Sequence, residues 1–175
     1  MALDIRKLEP SHDVKQFDCG DAALNQFIRS FALTNQERHM YGTTYVAYSE
    51  SGELIGYYTI ANSSIPIEAL PEDQTRGAPK YPQIPAILLG RLAVEKRHAK
   101  KGNGEQLLRH CLNTALSIAA QTGVRYVITD AYQDKVAWYK KYGFKEIQRG
   151  DKAKTREMFI DLAVVKKAVV QGCSS

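Results

Sequence analysis

The sequence predicts an α/β protein, with a mixed and mostly antiparallel sheet flanked by helices. Three observations carry that prediction. Several segments are β-branched, aromatic or apolar at strand length: Thr43–Tyr48, Glu53–Ala61, Ala86–Val94 and Val124–Thr129. One long segment, Gly104–Thr122, repeats Leu108, Cys111, Leu112, Ala115, Ile118 and Ala119 along a single helical stripe. The chain has 175 residues, about one domain's worth. That length buries about 70% of the unfolded surface without a disulfide or metal staple. A single domain over residues 1–175 is expected.

The elements follow in order. Leu3–Leu8 reads as a first strand. Asp18-Cys19-Gly20-Asp21 offers an N-cap, after which Ala22, Leu24, Phe27, Ile28 and Phe31 recur at helical spacing. Thr43–Tyr48 and Glu53–Ala61 make a hairpin across Ser51-Gly52. Residues 62–83, with Asn62, Ser63, Ser64, Pro66, Pro71, Gly77, Pro79 and Pro82, read as a loop inside the domain. Ala86–Val94 is the next strand, and Gly123 ends the long helix as a C′ glycine does. Val124–Thr129 is a buried-type strand, and Asp134–Tyr142 is a short helix stopped by Gly143. Phe144–Gln148 and Arg156–Leu162 close the chain as a hairpin.

Composition excludes several classes. Apolar residues make 44% and charged residues 25%, ordinary for a globular domain and unlike a disordered or collagen-like chain. The longest charge-free apolar stretch, Tyr81–Gly90, is too short to span a membrane and holds two prolines. The start carries Asp4, Arg6 and Lys7 where a signal peptide needs its apolar run, so a cytoplasmic protein is expected. Cys19, Cys111 and Cys173 lack any metal-ligand spacing and read as reduced structural thiols, with no metal site. Net charge is +5, from 24 Lys and Arg against 19 Asp and Glu; residues 135–156 alone hold eight bases against Glu146 and Asp151. Such a basic face either recruits an anion or is simply solvated.

The chemistry-bearing segment is the strand Leu88–Val94, the basic loop Glu95–Lys101 and the helix that starts after Gly102-Asn103-Gly104. Strand, glycine-containing loop and helix N-terminus bind phosphate through outward N–H groups and the helix dipole. Lys100 and Lys101 add charge. The Gly-Lys-Ser/Thr ending of a P-loop is absent. Glu95 and His98 are the nearby general-base candidates, against their reading as solvated loop residues.

Leu92-Ala93-Val94, Lys101-Gly102-Asn103-Gly104 and Ala137-Trp138-Tyr139-Lys140-Lys141-Tyr142-Gly143-Phe144 together resemble the GNAT-type N-acetyltransferases. That family carries [Gln/Arg]-x-x-Gly-x-[Gly/Ala] at the loop and Phe-Tyr-x-x-x-Gly-Phe further on. Phe17-Asp18-Cys19-Gly20-Asp21 with Leu24, Gly56-Tyr57-Tyr58 and Leu89–Val94 resembles the TacT-like toxins of bacterial type II toxin–antitoxin modules. The chain departs from the pattern at Ala99, Lys100 and Trp138.

The resemblance implies a GNAT fold and an acetyl-CoA-dependent N-acetyltransferase. Leu92, Ala93 and Val94 would hold the pantetheine and polarise the thioester carbonyl. Lys100, Lys101, Gly102, Asn103, Gly104 and Glu105 would cradle the pyrophosphate. Tyr139 would protonate the leaving thiolate, with Tyr142 as runner-up. A tyrosine suits that role because a free thiol titrates near about 8.5 and a tyrosine near about 10. The resemblance also implies the α-amine of aminoacyl-tRNA as acceptor, arrest of translation, a ribbon-helix-helix antitoxin as partner and a homodimer. Arg91, Arg38 and Lys80 are the candidate acceptor contacts. The alternatives are acetylation of a small amine or protein, and a non-enzymatic interaction module on the same scaffold.

Overall fold

In the computed structural model, residues 2–78, 80–147 and 154–172 are described. Pro79, Gln148, Arg149, Asp151, Lys152 and Cys173, all used in the sequence reading, lie outside those residues. The strands are β1 (Asp4–Lys7), β2 (Thr43–Tyr48), β3 (Leu54–Pro66), β4 (Gln83–Val94), β5 (Tyr126–Tyr132), β6 (Lys145–Glu146) and β7 (Thr155–Asp161). The α-helices are α1 (Ala22–Gln26), α2 (Ala32–Glu37), α3 (Glu72–Thr75), α4 (Asn103–Thr122), α5 (Val136–Lys141) and α6 (Leu162–Gly172). Among the described residues the strands form one seven-stranded sheet in the order β1-β2-β3-β4-β5-β7-β6. β1–β2, β2–β3, β5–β7 and β6–β7 pair antiparallel and β4–β5 pairs parallel. The expected mixed sheet with flanking helices is the fold observed.

By internal contacts the chain divides into Met1–Ala61 with Leu89–Cys111, and Asn62–Leu88 with Leu112–Ser175. In the first unit Leu8, Phe17, Phe27, Ile28, Ala32, Val46, Tyr57 and Ala93 form one core. Asp21 caps α1, its carboxylate accepting the Leu24 N–H at 3.0 Å. The α1 stripe then departs from the expected spacing. Phe27–Phe31 is a π-helical turn, and the Ala32 N–H reaches back to the Phe27 carbonyl. A π turn takes one more residue than an α turn, so the inward phase slips by one. Ala32 is buried where Phe31 was expected, and Phe31 is turned out to 48% exposure. Ala22 is also exposed.

In the second unit Ile65, Leu70, Ile84, Ala86, Tyr126, Ile128, Ile147 and Phe159 form the core. Ala86–Leu88 pair with Tyr126–Ile128, and β7 lies along the other edge of β5. Three sequence readings change here. The stretch read as a loop from residue 62 begins as strand: β3 runs to Pro66, its polar residues alternating with inward ones up to the buried Ile65. The loop shrinks to Ile67–Pro82 and itself carries a 3-10 turn and α3. The strand expected at Val124–Thr129 starts and ends later, at Tyr126–Tyr132. The C-terminal α6 was not foreseen, because Val164, Val165, Val169 and Val170 are β-branched and weigh against helix. Asp161 starts it by accepting the Ala163 N–H at 2.9 Å while holding Arg125 through two bonds of 2.6 and 2.8 Å. Gly123 has φ +72 and donates to Ala119, the expected helix stop. Cys19 is a half-buried free thiol and Cys111 a buried one, pushed up by burial to about 12 and so held protonated.

Candidate cofactor loop and active site

The cofactor-loop residues all belong to the first unit. β4 delivers them: Ala93 is buried, and Leu92 and Val94 are half-buried. The in–out alternation breaks at Gly90 and Arg91, both exposed. Arg91 is fixed with its guanidinium 3.7 Å from the centre of the Phe27 ring. On the neighbouring strand, Gly56 admits β4 and α4 at close range. A Cβ there would lie 2.5 Å from the Ala93 carbonyl oxygen and 2.8 Å from a Leu107 methyl. A glycine amid the bulky residues of β3 is the one signal in the sequence that marks this approach.

The loop after β4 is held at both ends. The Glu95 N–H donates to the Ile55 carbonyl at 2.8 Å, and the Lys96 N–H to the Asp18 carbonyl at 2.9 Å. The buried Glu95 carboxylate accepts the Asp18 N–H at 2.8 Å and lies 3.3 Å from Arg97 Nε. Lys96 pairs with the Asp18 carboxylate and, with the Gly20 N–H and Asn25, holds it well below the usual carboxylate range. His98 Nε2 lies 3.1 Å from Glu53, whose carboxyl is lowered by that contact first and by Arg97 and Lys101 further. Glu95 and His98, the two general-base candidates, thus have structural partners. The Phe17–Asp21 segment is tied to the start of the loop, a link that neighbouring sequence cannot reveal across 77 residues.

At the far end, Asn103 donates its side-chain N–H to the His98 carbonyl at 2.9 Å, and Gln106 makes the first α4 bond to Gly102 at 3.2 Å. First-turn amides have no acceptor within their own helix. Lys100 and Gly102 both take left-handed backbone, φ +60 and +79, with Lys101 between them. Turns of this kind make concave rows of N–H groups that suit an anion. A Cβ at Gly102 would meet open space, so glycine serves the backbone angle there and not clearance. Lys100 and Lys101 are exposed. Glu105, an acid in a turn that favours anions, is turned along the helix onto Arg109 at 2.7 Å. The donor set therefore fits a pyrophosphate.

In the second unit, α5 places Tyr139 at 7% exposure. Its ring meets Trp138 and Phe144 edge-on at 5.0 and 5.2 Å. Phe144 is buried, while Trp138 is only half-buried, packed on Tyr139 and Tyr142. The Tyr139 carbonyl accepts from Tyr142 and Phe144, which closes the turn at Gly143, φ +92. Arg38, at the end of α2 in the first unit, and Lys80, in the second, are both exposed. Among the described residues no cluster of His, Cys, Asp or Glu could hold a metal ion. No helix among them is long and apolar enough to cross a membrane.

The first unit carries a strand and an anion loop at a helix start, and the second a Tyr-bearing aromatic segment, each an element the acetyltransferase resemblance called for. Residues 40–146 match the acetyltransferase (GNAT) domain family, and the chain belongs to it. It is 28% identical over 141 residues to the tRNA-acetylating toxin of Mycobacterium tuberculosis, covering 80% of this chain and 82% of that one. It is 27% identical over 171 residues to the probable toxin TacT of Sinorhizobium fredii, covering 93% and 92%. Two solved structures of the AtaT toxin system are similar. AtaTR bound with acetyl-CoA superposes with TM-score 0.78 at 26% identity, covering 96% of this chain and 98% of that one. A mutant AtaT toxin bound to the C-terminus of the antitoxin AtaR gives 0.77 at 25%, again covering 96% and 98%.

Proposed function

We propose that this chain transfers the acetyl group of acetyl-CoA to the α-amine of aminoacyl-tRNA, and so acts as a translation-blocking toxin. The carrying observation is the loop at Lys100–Gly102, whose two left-handed residues open the first turn of α4 to a pyrophosphate. The similarity to a tRNA-acetylating toxin supports the acceptor. In this reading residues 1–175 act as one acetyltransferase domain in the cytoplasm. Leu92, Ala93 and Val94 align the pantetheine and the thioester carbonyl. Lys100, Lys101 and the backbone from Gly102 to Glu105 hold the pyrophosphate, with Arg109 neutralising Glu105.

The neutral amine attacks the thioester carbon, the C–S bond breaks as Tyr139 protonates the departing sulfur, and the proton that the acylated nitrogen releases restores Tyr139 by way of solvent. No dedicated base is required. An α-amine titrates near about 8 and is roughly a tenth neutral at pH 7, whereas a lysine is neutral less than about once in a thousand. Arg91, Arg38 and Lys80 contact the RNA. A cell making this enzyme needs an inhibitor, which we assign to a ribbon-helix-helix antitoxin, with the toxin as a homodimer.

The test is acetyl-CoA turnover with total aminoacyl-tRNA, a polyamine and a lysine peptide offered in parallel. Acetyl label on the amino acid of aminoacyl-tRNA is the expected result. Turnover confined to the polyamine or the peptide overturns the RNA acceptor.

A further inference from the structure

Between α2 and β2 the chain presents two large apolar side chains to solvent on a hydrogen-bonded backbone. Met40 is 84% and Tyr41 72% exposed. The loop is fixed from several sides. The His39 and Tyr41 N–H groups donate to the Thr34 and Asn35 carbonyls at 3.3 and 3.0 Å. Gln36 bridges the Leu8 carbonyl and the Thr44 N–H at 2.8 and 3.0 Å. Gly42 sits so close to β3 that a Cβ would lie 2.8 Å from the Ile60 carbonyl oxygen. Met40 is held at φ +53, left-handed backbone that non-glycine residues seldom keep without a reason. The His39 and Tyr41 rings lie nearly parallel, 18° apart with centroids at 5.2 Å, and the exposed Arg38 adjoins them.

Register places this loop. Thr43 pairs with Ile60. The Glu95 N–H, just past β4, meets the Ile55 carbonyl near the start of β3. Gly56, one residue on, lies against the Ala93 carbonyl, so β3 and β4 run antiparallel there, and the rest of β3 lies beside the part of β4 that precedes Ala93. Thr43, where the loop joins β2, thus stands two strand spacings, about 10 Å, from β4. That is roughly three steps of a base stack at about 3.4 Å each.

We propose that His39, Met40 and Tyr41, with Arg38, form a stacking platform for the unpaired bases at the 3′ end of the RNA acceptor. This rests on the aminoacyl-tRNA reading and adds to it the group that holds the bases behind the reacting nucleoside. Flat rings beside a cation suit unpaired bases, which single-strand binders hold by stacking with little regard to sequence. The patch is only a few side chains wide. A protein interface takes about 800 Å² from each partner, far more than two exposed side chains supply, while one or two bases match it.

The test uses the whole chain as wild type, Tyr41→Ala and Tyr41→Phe. The probe is a short single-stranded RNA ending in 2-aminopurine, whose fluorescence is quenched on stacking. Tyr41 is exposed, so Tyr41→Ala is expected to fold, and circular dichroism checks it. Quenching by wild type and by Tyr41→Phe, lost in Tyr41→Ala, is the expected result. In acetyl transfer, Tyr41→Ala raises the aminoacyl-tRNA KM by about 5- to 150-fold, the range of one stacked base, and Tyr41→Phe restores it. Equal quenching by wild type and Tyr41→Ala, or a fall in kcat at unchanged acceptor KM, overturns the platform. So does a Tyr41→Ala effect confined to self-association, which makes the loop a protein contact. A wild type that acetylates no aminoacyl-tRNA overturns the acceptor reading, and the probe assay still decides whether the loop stacks bases.

Discussion

In the proposed function the loop Glu95–Gly104 works mostly through backbone amides, whereas Trp138–Phe144 works through side chains. The loop's shape comes from two left-handed residues and from hydrogen bonds that reach Asp18, Ile55 and His98. Glu95, His98 and Asn103 use their side chains to hold the loop, and the segment that faces outward carries the small Ala99 and the exposed Lys100 and Lys101. The aromatic segment is the reverse, with Tyr139 wedged edge-on between Trp138 and Phe144. A backbone-built site tolerates a changed sequence, which is why Ala99 and Lys100 can stand where the family pattern has other residues. A side-chain-built site does not share that tolerance, since in the proposed mechanism one hydroxyl carries its chemistry.

The largest expected effect tests the side-chain half. Tyr139→Phe removes one oxygen and keeps the ring among Trp138 and Phe144. We expect kcat to fall by about 10²- to 10⁴-fold, the usual contribution of a positioned acid, with coenzyme A affinity by calorimetry unchanged. Near-normal turnover in Tyr139→Phe alongside a dead Tyr142→Phe would move the proton donor one turn onward.

The same contrast explains what the sequence disclosed. The family motifs, the long α4 and the Gly123 stop were legible because each depends on nearby residues. The Asp21 cap was legible for the same reason. The π turn at Phe27–Phe31 was not, since a helix widened by one residue keeps the same apolar content and changes only its phase. The clasp of Asp18 to Glu95 and Lys96 was hidden by sequence distance. Glu95 therefore read as a possible base, although its carboxylate is buried and already accepts a hydrogen bond. α6 was hidden by its valines, and it forms where Asp161 caps its first turn.

A middle-sized effect probes how tightly the backbone half is built. Gly56→Ala adds one methyl group against the Ala93 carbonyl and Leu107. Overpacking of that kind costs about 1–3 kcal/mol, which in a domain of this size lowers the melting temperature by roughly 2–12 °C. Because the displaced backbone is that of Ala93 and Val94, the acetyl-CoA KM should rise as well. A destabilised Gly56→Ala enzyme with wild-type acetyl-CoA KM would separate the packing of β4 from cofactor alignment, and would place the pantetheine contacts elsewhere.

The smallest effect separates backbone from charge within the loop itself. Lys100 holds φ +60, a conformation that costs an L-residue about 1–2 kcal/mol and glycine almost nothing. Lys100→Gly relieves that strain and gives back about 0.5–1 kcal/mol through the freer unfolded chain. The net is a gain of roughly 0–1.5 kcal/mol, seen as a small rise in the denaturation midpoint. The same change removes one exposed positive charge from the proposed pyrophosphate site. The acetyl-CoA KM should therefore rise a few-fold at low salt, and the difference from wild type should shrink as salt screens the lysine. Stability and affinity then move in opposite directions from one substitution. If the KM instead stays at the wild-type value at low salt, Lys100 contributes no charge to binding and the amides with Lys101 suffice. A lower midpoint would mean that the Lys100 side chain holds the loop together, and that this loop is not built from backbone in the way its left-handed turns indicate.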